Sequence, residues 1–244
     1  RGWGWDGGGG ARRFGADLAE AVLDVLRRNA ESVVREPGLG SWPPAPPDAD
    51  EDAPCALPAL RPYPRAGAAF ARERGGALLA VDMGRGKGAC AIEACSGLAG
   101  PVLAVCPGVI RSVWLGTEDR QGEIAKWLGP EADVRELRGR AKPNLDALEG
   151  LGPGTWAVVN YELLDHRQPK GEAEQASPWL APLQAVPWGA IVLDEAHAIK
   201  NRRSRPAKAL VALRDAVPDA LRLALTGTPL QNRPRDLWQV LDWI

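Results

Sequence analysis

The chain has 244 residues, 45% of them apolar and 25% charged, which is ordinary for a globular protein that buries a core. Its 30 basic and 31 acidic side chains give a net charge of -1, which excludes binding of nucleic acid through global charge, so any such binding must use a local patch. No apolar run approaches the roughly 20 residues of a membrane span. Without a secretory signal or a Cys-x-x-Cys pair, the sequence predicts a reduced, cytoplasmic protein that is not secreted.

Residues 1–59 are predicted to precede the main domain. Glycine dominates the first 16 positions, and helical spacing of apolar residues over 17–35 predicts one amphipathic helix. Prolines and acidic residues then alternate over 41–58, which is the composition of a linker. We therefore place the main domain at residues 60–244.

Within the main domain, short apolar runs alternate with helical patterns. The runs predict strands over 77–82, 102–107, 134–137, 156–161, 190–195 and 221–225. Continuous apolar strands separated by helices are typical of an α/β fold, a doubly wound parallel sheet with helices on both faces. Such sheets bind their ligands at the carboxyl ends of the strands, so the residues that follow each run are candidates for a site.

A glycine-rich turn follows the first predicted strand and opens a helix. Glycines let backbone N–H groups approach a phosphate, the helix dipole favours its charge, and a lysine reaches the β- and γ-phosphates. The pattern departs from the usual P-loop, because Val81 and Gly88 stand where that loop has Gly and Ser or Thr. The candidate phosphate-binding residues are Met83, Gly84, Arg85, Gly86, Lys87, Gly88 and Ala89.

Two adjacent carboxylates, Asp194 and Glu195, follow the apolar run 190–193. An isolated Asp-Glu pair also begins ordinary solvated turns. The phosphate-binding turn elsewhere in the chain favours a nucleotide site, since one carboxylate can serve a metal ion while the other serves the attacking water.

Four blocks of the sequence resemble the first motor lobe of the Swi/Snf-type helicase-like ATPases, which are superfamily-two DNA translocases. The blocks are Leu-Arg-Pro-Tyr at 60–63, Asp-Met-Gly-Arg-Gly-Lys at 82–87, Asp-Glu-Ala-His-Ala-Ile-Lys-Asn at 194–201 and Leu-Thr-Gly-Thr-Pro-Leu-Gln-Asn at 225–232. Segments 101–114, 123–127 and 158–164 agree with the same family. The resemblance implies a RecA-like lobe that binds ATP and Mg²⁺ in a cleft shared with a second lobe.

The resemblance also implies residue roles. Lys87 would hold the phosphates, Asp194 would order Mg²⁺ through water, and Glu195 would orient or deprotonate the attacking water. A further set would couple the nucleotide state to lobe movement, although His197 taken alone also fits a structural role. The coupling set is His197, Thr226, Gly227 and Thr228.

Double-stranded DNA and the second RecA-like lobe are the partners that the resemblance implies, with a DNA-associated location. DNA would be held at strand ends through its phosphates. The matching positions are Pro107, Arg111, Asn160 and Tyr161, and each also has a structural interpretation, with Tyr161 as a core residue. The chain stops within a predicted helix before any second lobe, so we expect it to bind nucleotide weakly and not to translocate alone.

Two departures from the family weaken the predicted site. Gly88 replaces the threonine whose hydroxyl ligates Mg²⁺, and Pro64 replaces the glutamine that reads adenine. Weakened or absent hydrolysis is therefore expected. A degenerate lobe that binds DNA or a protein stays an alternative, as does another superfamily-two helicase, although blocks 194–201 and 225–232 favour the Swi/Snf type.

Overall fold

The computed structural model describes residues 55–57, 60, 62–80, 86–140, 142–165, 177–227 and 234–244. The helix predicted over 17–35 and most of the predicted linker lie outside these residues, as do Met83, Gly84, Arg85 and Thr228.

A six-stranded sheet forms the centre of the described structure, and all of its paired strands run parallel. Its strands are β1 (Gly76–Ala80), β2 (Val102–Cys106), β5 (Val134–Glu136), β6 (Trp156–Asn160), β7 (Ala190–Leu193) and β8 (Leu221–Thr226), in the order β1-β8-β7-β2-β6-β5. A separate antiparallel pair consists of β3 (Gly116–Thr117) and β4 (Arg120–Gln121). The six predicted strands and the parallel α/β fold are confirmed.

Helices connect the strands and cover the sheet. They are α1 (Pro62–Arg74), α2 (Lys87–Cys95), α3 (Arg111–Leu115), α4 (Glu123–Leu128), α5 (Tyr161–Leu164), α6 (Leu180–Gln184), α7 (Arg205–Ala216) and α8 (Pro234–Trp243). Short 3₁₀ turns occupy Gly108–Ile110, Leu145–Leu148 and Ala196–Ile199. Every residue of β2, β6 and β7 is buried, which explains why these strands read as continuous apolar runs.

The strand order brings together the carboxyl ends of three strands, each of which leads into a predicted motif. β8 lies between β1 and β7, with Ala80 opposite Thr226 and Leu193 opposite Ala224. The last residue of β1, the first carboxylate after β7 and Thr226 therefore lie at the carboxyl ends of neighbouring strands. Parallel α/β sheets bind their ligands at the carboxyl ends of the strands.

A buried carboxylate fixes the far end of α2. Glu93 is 2% exposed and accepts hydrogen bonds from the backbone N–H groups of Ala56 (3.0 Å) and Leu57 (2.9 Å). Its partner Arg72 lies 3.6 Å away and donates to the carbonyl oxygens of Glu93, Ala94 (3.0 Å) and Ser96 (2.9 Å). These bonds satisfy the buried charge and join residues 55–57, α1 and α2.

Candidate nucleotide site

A left-handed glycine begins α2. Gly86 has φ 89° and ψ 30°, and its carbonyl oxygen accepts the N–H of Cys90 at 2.9 Å to close the first helical turn. Glycine is favoured at this φ because a Cβ would be strained there. Lys87 is the first residue of α2, and no side chain caps this helix end. The unpaired N–H groups of the first turn of α2 therefore lie at the same end of the sheet as the other motifs.

Four hydrogen bonds orient Asp194. Its Oδ2 accepts the indole N–H of Trp114 (2.9 Å), and its Oδ1 accepts the backbone N–H of Glu195 (2.9 Å). The Tyr161 hydroxyl donates to the Asp194 carbonyl oxygen (3.0 Å), while the Asp194 N–H donates to the carbonyl oxygen of Val105 (2.8 Å). Both the backbone and the carboxylate of Asp194 are therefore held in one orientation.

Glu195 has a strained backbone. Its φ of 50° and ψ of 51° are left-handed, and it is the only non-glycine residue with positive φ in the part of the chain that the structure describes. Such strain costs about 1–3 kcal/mol and concentrates at functional sites. His197 Nδ1 lies 3.1 Å from Glu195 Oε2 without forming a hydrogen bond to it. Sequence patterns carry no signal for this conformation.

Burial raises the pKa of Asp194 above its ordinary value of 3.8. The bonds from Trp114 and the Glu195 N–H oppose that rise, the charge of Glu195 adds to it, and the charge of Lys87 opposes it. Two conclusions follow. Lys87 and Asp194 are close enough to interact electrostatically, and the Asp194 carboxylate would gain from a bound cation.

Trp114 is a site residue that sequence reasoning missed. It is 2% exposed and stacks on Trp156 with ring centroids 6.0 Å apart and an interplanar angle of 23°. A buried indole N–H needs an acceptor, and Asp194 supplies it. The signal available in the sequence was the position of Trp114 in a family segment, without a partner for it.

Glu123 is a second missed residue. An ideal Cβ built on Gly88 would lie 3.7 Å from Glu123 Oε2 and 3.9 Å from its Cγ, which is ordinary van der Waals contact. Glu123 begins α4, and its carboxylate accepts from Trp127 Nε1 (3.0 Å) and Lys126 Nζ (3.3 Å). The Glu123 carboxylate thus lies beside the first turn of α2.

The predicted coupling residues are partly described. Thr226 is 2% exposed at the end of β8, and Gly227 follows it. His197 lies in the 3₁₀ turn Ala196–Ile199, which packs against both β8 and α8. The turn and β8 are thus brought together.

The predicted DNA residues lie at or after the carboxyl ends of the neighbouring strands β2 and β6: Asn160 ends β6, Tyr161 begins α5, Pro107 follows β2 and Arg111 begins α3. Cys106 is opposite Asn160, so Pro107 and Tyr161 both follow at the same edge. The Tyr161 side chain is 5% exposed, which supports its interpretation as a core residue. Arg111 Nε lies 2.9 Å from Glu136 Oε1, so this cation is paired within the lobe.

Glu162 closes the turn after β2. Its carboxylate oxygens accept the backbone N–H of Gly108 at 3.3 and 3.2 Å, and its Oε2 accepts Asn160 Nδ2 at 2.7 Å. The side chain of Asn160 is buried, and its Oδ1 has no hydrogen-bond partner. An anion bound at the Gly108 N–H would have to displace Glu162.

The residues present fit a magnesium ion that is held mainly by nucleotide phosphates and water. Mg²⁺ needs only one or two protein carboxylates in such sites, and Asp194 provides one that is oriented and destabilised by burial. Among the described residues, no three His, Cys, Asp or Glu side chains cluster as a metal site of their own.

In that same part of the chain no helix has both the length and the apolar character needed to cross a bilayer, and the four cysteines are free thiols.

Comparison with known proteins finds one matching family and several related chains. The SNF2-related domain matches residues 70–244. Protein CHROMATIN REMODELING 19 of Arabidopsis thaliana is 32% identical over 205 residues, covering 77% of this chain and 25% of that protein. DNA excision repair protein ERCC-6-like of Danio rerio is 31% identical over 179 residues, covering 70% of this chain and 11% of that protein.

A solved structure is also similar to this chain. The Sulfolobus solfataricus SWI2/SNF2 ATPase core in complex with dsDNA is similar with a TM-score of 0.57 and 27% sequence identity, over 77% of this chain and 36% of that one. The chain therefore belongs to the SNF2-related domain family, and the resemblance to Swi/Snf-type ATPases is confirmed. It spans a quarter or less of the length of the two relatives named above.

Proposed function

We propose that this chain is the ATP-binding lobe of a DNA-dependent ATPase that moves along double-stranded DNA when it is paired with a second lobe. One observation carries the proposal: Lys87 begins α2 at the same end of the sheet as Asp194, and the positive charge of Lys87 favours the ionised form of that carboxylate. A phosphate-binding helix end next to oriented carboxylates is what phosphoryl transfer requires, because that reaction depends on positioning and charge neutralisation.

Lys87, Asp194 and Glu195 each have a separate role in this mechanism. Lys87 and the first N–H groups of α2 bind the phosphates, and Asp194 holds the water shell of Mg²⁺. The ion, when bound, neutralises charge that develops on the transferred phosphoryl group. Glu195 orients the attacking water and accepts its proton, and its left-handed backbone sets the direction of its side chain.

The family also supplies proposals for coupling and for DNA. His197, Thr226, Gly227 and Thr228 would transmit the nucleotide state to the second lobe, which the packing of the Ala196–Ile199 turn against β8 supports. DNA phosphates would be held at the turn after β2, where Glu162 must move aside from the Gly108 N–H.

The domain division remains our proposal. Leu57 is 6% exposed in the core cluster and its N–H is bound by Glu93, although residue 60 was the predicted start of the lobe. We therefore propose that the lobe includes residues 55–57 and that the preceding residues form a separate N-terminal segment.

A second candidate function is a lobe that binds DNA or a protein without hydrolysing ATP. Gly88 favours it, because no hydroxyl is available there for Mg²⁺, and Pro64, next to Gly86, offers no side-chain donor for adenine.

Nucleotide binding tests the phosphate site that the first candidate requires. Fluorescent ADP is titrated into this chain with and without Mg²⁺, beside the Lys87→Ala variant and a matched Lys142→Ala control on an exposed lysine. We expect wild type and the control to bind and Lys87→Ala to lose binding. Equal binding by all three would contradict the phosphate site.

A further inference from the structure

The space beside Gly88, where another residue would have a side chain, is bordered by the carboxylate of Glu123. A side chain at position 88 would meet Glu123 Oε2 at ordinary contact distance, 3.7 Å from its Cβ. Because glycine provides no side chain there, the Glu123 carboxylate faces the first turn of α2 with nothing of residue 88 between them. Any group that binds at this turn therefore lies near a negative charge.

The connection between α3 and α4 holds Glu123 in this place. A Cβ on Gly122 would lie 2.4 Å from the Trp114 carbonyl oxygen, and one on Gly116 would lie 2.6 Å from the Gly122 N atom. The backbone is so close at both glycines that only Gly fits. Trp114 and Glu123 are thus fixed relative to each other, and Trp114 in turn binds Asp194.

The Glu123 carboxylate is also fixed in direction. Trp127 Nε1 donates to Oε2 at 3.0 Å, and Lys126 Nζ lies 3.3 Å from Oε1. Its side chain is 25% exposed, so part of it meets solvent. A fixed carboxylate beside a phosphate-binding turn repels bare phosphate and attracts a hydrated cation.

We propose that Glu123 is a positioning residue that hydrogen-bonds the water shell of nucleotide-bound Mg²⁺ where Gly88 supplies no hydroxyl. The proposal rests on the proposed ATP site. Glu123 would accept hydrogen bonds from waters bound to that ion, as Asp194 would. Nucleotide binding consequently depends on Mg²⁺ more strongly than Asp194 alone would require.

A double-mutant cycle tests this role. ADP affinity with and without Mg²⁺ is measured for wild type, Glu123→Gln, Gly88→Thr and the double variant, and Mn²⁺ binding to the ADP complex is followed by EPR. Because outer-sphere partners change metal affinity by about 10–100-fold, we expect Glu123→Gln to reduce the Mg²⁺ enhancement about tenfold in the Gly88 background. The same change should have little effect in the Gly88→Thr background, where the introduced hydroxyl takes over.

Glutamine keeps an oxygen to accept from Trp127, so the fold is preserved, and thermal unfolding checks it. The matched control is Glu118→Gln, which removes an exposed carboxylate from the same connection. A Mg²⁺ enhancement that Glu123→Gln leaves unchanged, or a loss equal to that of Glu118→Gln, overturns the role of Glu123. A wild type that binds ADP in neither condition overturns the ATP site itself, and the proposal with it.

Discussion

The two ends of α2 carry charged groups in opposite circumstances. At the C-terminal end, Glu93 and Arg72 have a full set of partners and tie three segments together. At the N-terminal end the N-cap residue Gly86 has no side chain to cap the helix, the Glu123 carboxylate lies beside the first turn, and burial raises the pKa of Asp194. The charges that stabilise the fold have all of their partners within it. The charges at the candidate site are held in one orientation, and a bound ligand would complete their interactions.

The largest expected effect is at the satisfied end. Glu93→Ala leaves the buried N–H groups of Ala56 and Leu57 without their acceptor and removes the charge that pairs with Arg72. We therefore expect a loss of about 3–5 kcal/mol in the free energy of unfolding. Urea denaturation measures it, with exposed Glu73→Ala as the control. A change below about 0.5 kcal/mol would show that this end of α2 is not held by Glu93.

Trp114→Phe tests the orienting bond at the other end. Phenylalanine retains an aromatic ring against Trp156 but removes the N–H that binds Asp194, so we expect Mg²⁺-dependent ADP affinity to fall about tenfold. Binding without Mg²⁺ should change little. Trp188→Phe, which removes an indole N–H bonded to the Leu183 carbonyl oxygen, is the control. Equal losses in both variants would assign the effect to packing.

The raised pKa of Asp194 predicts a pH dependence of stability. The folded chain keeps a proton on Asp194 that the unfolded chain releases near 3.8, so ionisation above that value destabilises the fold. The free energy of unfolding of wild type, minus that of Asp194→Asn, should therefore fall as pH rises from 3.8 through the raised pKa. Chemical denaturation across this range checks the sign, and a rising difference would contradict it.

The smallest effect concerns Gly88→Ala. Position 88 lies inside α2, and a Cβ there makes only ordinary contacts, so we expect a gain of about 0.5–1 kcal/mol from helix propensity. A methyl group cannot replace a hydroxyl, so no gain in Mg²⁺ affinity is expected from this change. A thermal unfolding scan measures the gain, and a clear destabilisation would mean that the turn has no room for a methyl group.

Much of the fold was predictable, because buried parallel strands have continuous apolar sequences. All six strands follow from the alternation of apolar runs with helical patterns, and a parallel sheet puts the residues after each strand at the same end of the sheet. The strand order that makes β8 the neighbour of both β1 and β7 was not predicted. Strand ends were predicted less well: β7 ends at Leu193, so Asp194 and Glu195 follow the strand rather than belong to it.

The site was predictable only where its residues form local motifs. The left-handed backbone of Glu195, the bond from Trp114 to Asp194 and the approach of Glu123 to Gly88 join residues that are distant in sequence or depend on tertiary packing. For the same reason, the sequence could not show that the Tyr161 hydroxyl binds the Asp194 carbonyl oxygen inside the lobe.

The central claim is that the α2 turn and the acidic pair form one nucleotide site. Magnesium ADP is added to ¹⁵N-labelled chain, and NMR follows the indole N–H of Trp114 and the amides of Lys87 and Gly88. We expect these signals to shift together at one affinity, while the Trp243 indole N–H, bonded to the Leu210 carbonyl oxygen, stays in place. Shifts in α2 that leave Trp114 unmoved would contradict a shared site.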